Sequence, residues 1–207
     1  MFLAAALVLA PTTLLAAPAI LVLGDSLSAA YGLDRKDGWV SLLSKRLAAE
    51  GYDYEVVNAS VSGETSRGGL TRLPREIEHH RPAIAIVELG ANDGLRGLSL
   101  AEMRRNLAAI IEKLQAGGAR IVLVGMRLPP NYGSAYTEQF AQVYSELAKR
   151  YDLRLVPFLL EGVANHRQLF QVDGLHPVAV AQPTMLNNIW NQLRPLLGPN
   201  GTNPLRH

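Results

Sequence analysis

Five short apolar runs, at residues 20–23, 54–58, 83–89, 121–125 and 155–158, alternate with longer amphipathic stretches along the 207-residue chain. Most of these runs are continuous in Val, Ile and Leu rather than alternating, as expected of strands covered on both faces. The stretches between them predict helices over residues 39–50, closed by Gly51, and 100–116, closed by Gly117. Ser99-Leu100-Ala101-Glu102 opens the latter as a capping box. Further helices are expected over 135–151 and 178–197, with Pro177 suited to the first turn of the last one. Pro183 marks a kink or a later start there, and Pro74 is expected to divide 65–80 into two short pieces. Strand–helix alternation of this kind predicts a parallel, doubly wound sheet in one domain.

The ends of the chain read differently. No charged side chain precedes Asp25, and Phe2 to Ala10 form an apolar core of signal-peptide length, interrupted by Pro11-Thr12-Thr13. Ala16-Ala17 before Pro18 supplies a small-residue cleavage neighbourhood, although no Lys or Arg follows Met1. Residues 1–17 are therefore expected to be a cleaved export signal, 18–198 the mature domain, and 199–207 a polar tail. On that expectation the protein is periplasmic or secreted, with no stable membrane insertion once the signal is removed; the plainer alternative is an uncleaved anchor.

Composition narrows the chemistry. The chain has no cysteine, which excludes disulfides, a thiol nucleophile and cysteine-held metal centres. Its formal charge of +2 comes without a basic run, so no nucleic-acid partner is expected. With 48% apolar and 18% charged residues it can fill a core.

Four polar strings follow the predicted strands: Gly24-Asp25-Ser26-Leu27, Asn58-Ala59-Ser60-Val61-Ser62-Gly63, Gly90-Ala91-Asn92-Asp93 and Asp173-Gly174-Leu175-His176-Pro177. Loops at the carboxyl ends of strands in an open parallel sheet line one crevice, where ligands bind. Ser26 is a candidate nucleophile, His176 its base, and Asp173 the group that orients the imidazole, in the logic of a serine triad. Taken singly, each string has a plainer reading as turn or cap chemistry. Asp93 is expected to be structural, and His79, His80, His166 and His207 to be solvated, without metal-ligand spacing.

These strings resemble the blocks of the SGNH, or GDSL-type, hydrolases over nearly the whole mature chain. Ser26, Gly63, Asn92 and His176 match the four residues that name the family. Asn92-Asp93-Gly94-Leu95-Arg96-Gly97 and Arg127-Leu128-Pro129-Pro130-Asn131-Tyr132-Gly133 are similar to its TesA-like branch of exported bacterial thioesterases, lysophospholipases and arylesterases. The resemblance implies a three-layer α/β/α, flavodoxin-like parallel five-stranded sheet. It also implies an oxyanion hole made by the backbone N–H groups of Ser26 and Gly63 and the side-chain amide of Asn92. The match departs at Ala91, where a second glycine is usual and a positive φ would strain alanine.

The activity implied is hydrolysis of acyl esters and thioesters through an acyl-serine intermediate, by a monomer needing no metal or organic cofactor. Gly94, Leu95, Arg96, Gly97, Leu98 and Leu128 are carried over as residues that accommodate the acyl chain, against the plainer reading that these leucines anchor loops. A carbohydrate O-deacetylase with the same catalytic set, and a non-catalytic lipid-binding relic, remain open alternatives. No Gly-x-Ser-x-Gly elbow, Ser-x-x-Lys, His-Glu-x-x-His or strand-following Gly-x-Gly-x-x-Gly occurs, which disfavours several other enzyme classes.

Overall fold

The computed structural model of the protein describes residues 17–198. The expected signal segment, apart from Ala17, and the polar tail lie outside the described residues. Strands β1 (Ala19–Gly24), β2 (Glu55–Asn58), β3 (Ile84–Glu88), β4 (Arg120–Val124) and β5 (Arg154–Val156) form one parallel sheet in the order β2-β1-β3-β4-β5. Every strand falls on one of the five apolar runs. β1 and β3 are buried along their whole length, which is why their sequences carry no polar alternation. The edge strands β2 and β5 are partly exposed and begin with the charged residues Glu55 and Arg154.

Helices α1 (Trp39–Ala49) and α6 (Gln182–Leu193) cover one face of the sheet. The other is covered by α2 (Ser66–His80), α4 (Leu100–Ala116) and α5 (Ser134–Arg150), with the short α3 (Ala91–Leu95) between β3 and α4. This is the expected three-layer α/β/α arrangement. Half of the expected capping box forms at the head of α4, with the Ser99 hydroxyl accepting from the Glu102 N–H at 3.3 Å, an interaction typically worth about 1 kcal/mol.

Three details differ from the sequence expectation. Residues 66–80 form one helix rather than two pieces, although Pro74 sits inside it. Pro74 lies on the exposed side, where water can take the Leu70 carbonyl that loses its donor, while Ser66, Gly69 and Leu73 hold the buried side. The last helix starts later than Pro177: a 3-10 turn (Ala179–Ala181) precedes α6, and Pro183 is the residue in its first turn. Pro177 instead pairs with Phe170 in an isolated antiparallel bridge. Residues 91–95, expected as loop, make the single helical turn α3.

The strand order reverses direction between β1 and β3, and the crevice of such a sheet lies at the carboxyl ends of these two strands. No helix among the described residues is long and apolar enough to cross a membrane.

Candidate active site

β1 ends at Gly24, where a side chain has no room: an added Cβ would lie 2.7 Å from Ser28 Cβ and 2.9 Å from Glu88 Oε2. The chain then turns tightly. The Leu27 N–H donates to Asp25 Oδ1 at 3.0 Å, and the Ala29 N–H to the Asp25 carbonyl at 2.9 Å. This turn lifts Ser26, half-buried, out of the end of a buried strand.

His176 reaches Ser26 from 150 positions further along the chain, with Nε2 2.9 Å from Oγ. Its Nδ1 lies 2.7 Å from Asp173 Oδ2. The Asp173 Oδ1 accepts from the Leu175 N–H at 2.9 Å and the His176 N–H at 3.0 Å. Backbone donation from His176, the ring contact and the Leu175 N–H hold the Asp173 carboxyl down at about 2. Gly174 turns the loop with φ of +71°.

The loop is clamped from several sides. Gln171 donates through Nε2 to the Tyr31 carbonyl at 2.8 Å, and its N–H bonds the His176 carbonyl at 2.8 Å. The Arg167 guanidinium caps the carbonyls of Gln171 and Val172 at 2.9 and 3.1 Å. Tyr31 lays its ring against the His176 imidazole, with centroids 4.4 Å apart.

The donors expected for an oxyanion come from two other strand ends. Asn92 stands in the first turn of α3, and its Nδ2 donates to Asp25 Oδ2 at 3.0 Å. That bond uses one amide N–H and leaves the second for a ligand. Gly63 has φ of +78°, and its carbonyl accepts from Arg96 Nη2 at 2.8 Å. The positive φ after β3 falls on Gly90, at +112°, rather than on Ala91, so alanine is unstrained in α3. Asp93 is structural, as expected: its carboxylate takes the N–H and hydroxyl of Ser66 at the head of α2.

Beneath these groups lies a buried acidic pair that sequence reasoning missed. Glu88, fully buried at the end of β3, accepts the Ser28 hydroxyl at 2.7 Å and the Asp25 N–H at 3.3 Å through Oε2. Burial, with the Asp25 charge beside it, pushes the Glu88 carboxyl well above the ordinary range. Burial likewise raises Asp25 to about 6. The available signal was a lone acid closing the otherwise apolar Ile84-Ala85-Ile86-Val87 run. Tyr31 was also missed, because a tyrosine beside Gly32 reads as ordinary loop.

Of the residues carried over for the acyl chain, Gly94 and Leu128 meet. Leu128 is 8% exposed and packs against Gly94. An added Cβ at Gly94 would lie 2.8 Å from Leu128 Cδ2 and 2.6 Å from the Phe140 ring. Tyr132 and Tyr136 donate their hydroxyls to the carbonyls of Leu95 and Leu98, at 2.9 and 3.1 Å. Leu128 therefore supports this loop from below, while Arg96, Gly97 and Leu98 are exposed above it.

Residues 22–181 match the GDSL-like lipase/acylhydrolase family. The chain belongs to that family. Among GDSL relatives, Esterase TesA of Pseudomonas aeruginosa is 54% identical over 182 residues, covering 88% of this chain and 90% of that protein. The Escherichia coli (strain K12) protein named thioesterase 1/protease 1/lysophospholipase L1 is 42% identical over 182 residues, covering 88% of this chain and 86% of its own length. A crystal structure of TesA matches this GDSL fold with a TM-score of 0.85 at 54% identity, covering 86% of this chain and 99% of that one.

Proposed function

We propose that this GDSL-family protein is a serine hydrolase that transfers the acyl group of esters and thioesters to Ser26 and then to water. The observation that carries the reading is the continuous Ser26–His176–Asp173 hydrogen-bond chain, at 2.9 and 2.7 Å. Ser26 Oγ attacks the carbonyl carbon while its proton passes to His176 Nε2. Asp173 accepts the Nδ1 proton, holds the ring in the productive tautomer and stabilises the imidazolium. The oxyanion takes hydrogen bonds from the N–H groups of Ser26 and Gly63 and from the free amide hydrogen of Asn92. Collapse expels the alcohol or thiol, which receives the proton from His176. Water then repeats the sequence on the acyl-serine and releases the acid.

The names of the relatives, an esterase and a thioesterase/lysophospholipase, support acyl esters and thioesters as the substrate class. So does the rim of the crevice. Tyr31, Val61, Leu98 and Leu175 are between 44 and 51% exposed, and all four lie on loops that follow strand ends. Apolar walls around a few convergent polar groups suit fatty acyl chains. Export through a cleaved signal at residues 1–17 is part of the same reading, and places ester substrates outside the cytoplasm within reach.

The test is a panel of esters and thioesters of graded acyl length, run beside a fluorophosphonate label. Ser26→Ala is expected to abolish labelling and lower kcat by at least about 10⁴. Retained turnover in that variant overturns the assignment. Asn92→Ala is expected to lower kcat by about 10²–10³, with labelling still detectable. Leu128→Ala should reduce kcat/KM for long acyl chains roughly tenfold more than for acetyl esters; equal losses would remove the acyl role of the 94–98 loop.

A further inference from the structure

We propose that Glu88 is a positioning residue for the oxyanion donor: its carboxyl keeps a proton, donates it to the Asp25 carboxylate, and through Asp25 fixes the amide of Asn92. The proposal rests on the role given to Asn92 above and adds a residue that touches no substrate.

The hydrogen-bond accounting leads to it. Asp25 accepts at both oxygens, from the Leu27 N–H at 3.0 Å and from Asn92 Nδ2 at 3.0 Å. A carboxyl that receives N–H donors on both oxygens is suited to the ionised, acceptor-only form. Glu88 differs. Its Oε2 takes two donors, but its buried Oε1 takes none. A bare oxygen is costly on a buried carboxylate, yet it is natural for a carboxylic hydroxyl, which needs an acceptor instead. We assign that role to the neighbouring Asp25 carboxylate, whose own N–H bonds Glu88 Oε2 at 3.3 Å and whose charge helps push the Glu88 carboxyl up. Two carboxylates in such contact cannot both ionise readily, so the pair holds one proton. The donor count puts it on Glu88.

The surroundings reinforce this division. Neither carboxyl is hydrogen-bonded by a Lys or Arg among the described residues. Among the described residues, His176 from the loop after β5 faces Asp25, and Tyr144 from α5 faces both carboxyls and also Asp93 from α3. Asp93 is occupied by Ser66, and the Tyr144 hydroxyl donates to the Leu89 carbonyl at 3.0 Å. Among the described residues, His176 is thus the facing group that becomes cationic in the proposed mechanism, as the oxyanion forms.

The consequence concerns which end of the Asn92 amide faces the crevice. An amide presents oxygen or NH₂ with nearly the same shape, and only NH₂ stabilises an oxyanion. A carboxylate at Asp25 selects the NH₂ end and points the second hydrogen outward. Donors aimed in advance stabilise developing charge without reorganising during the reaction.

Four proteins test this with p-nitrophenyl butyrate: Glu88→Gln, Glu88→Leu, Asn92→Ala and the Glu88→Leu/Asn92→Ala pair. The Gln amide can accept from Ser28 and Asp25 and donate to the Asp25 carboxylate, so its kcat should stay within about threefold of wild type. Leu keeps the bulk without the donor, so kcat should fall about 10- to 100-fold with KM nearly unchanged. In the Asn92→Ala background the same Leu change should cost less than about threefold, since its route of action is already gone. Independently of turnover, infrared spectra of the wild type at pH 7 should contain the carbonyl band of a protonated carboxylic acid, absent from Glu88→Gln. The proposal falls if that band is missing, if Gln is as damaging as Leu, or if the Leu and Asn92→Ala losses multiply in full. Full activity in Asn92→Ala overturns the oxyanion reading and this proposal together, and is recognised because the infrared band then persists without a kinetic effect.

Discussion

A single methyl group at position 24 would collide with both Ser28 and Glu88, so the glycine there is a packing requirement as much as a turn residue. Gly24→Ala is expected to destabilise the fold by about 1–3 kcal/mol through overpacking and to lower kcat by displacing the Ser26 turn; urea denaturation and the ester assay measure the two. Asp173 has a sign of its own. Its carboxyl is held below the ordinary value of 3.8, at about 2. Its contribution to stability is therefore complete above about pH 4 and lost as pH falls toward 2. Because the group is exposed the effect is small, and Asp173→Asn should flatten only that acidic stretch of the stability profile. At this scale the sequence was informative wherever a polar residue had no reason to follow an apolar strand, as with Ser26, Asn92 and His176. It was silent where a functional neighbour looked ordinary. Glu88 reads as the end of a strand, and the Tyr31 ring meets His176 only in three dimensions.

Helices and strands were legible in proportion to the strength of their periodicity and caps. α4 has the predicted bounds, because Ser99 and Gly117 mark both ends chemically. The head of α6 was not, since two prolines six residues apart each suit a first turn and only tertiary contacts choose between them. Pro177 is taken by its bridge to Phe170, and Gln182, at the start of α6, accepts the Trp39 N–H at 3.0 Å through Oε1. α2 shows the opposite error, where a local rule overruled packing. Its apolar side against α4 carries the helix through Pro74. Pro74→Ala should restore a backbone hydrogen bond and raise stability by roughly 1–2 kcal/mol, after the entropy that proline removes from the unfolded chain is subtracted. Activity should be unaffected, since Pro74 faces solvent on the flank of the sheet.

Over the whole molecule, the parallel winding was readable because continuous apolar runs alternating with helices have few other solutions. What could not be read was the depth at which polar groups come to rest. Burial holds the Glu88 carboxyl above the ordinary glutamate value of 4.5, so the proton proposed on it is one that an unfolded chain would release, and its contribution to stability should fall as pH rises above about 4.5. Glu88→Gln has no such proton. Its stability relative to wild type should climb by up to about 1.4 kcal/mol per pH unit above that point, measured by denaturation from pH 4 to 7. A flat difference would mean that Glu88 is already ionised. The 150-residue gap between the serine and its histidine has another outcome. A chain cut short, or still emerging from the ribosome, carries the hydroxyl proposed as nucleophile long before the imidazole exists. On the proposed mechanism such fragments lack their base, so hydrolysis should switch on only when the final winding is laid down, and recovery of turnover should report completion of the protein rather than assembly of its first half.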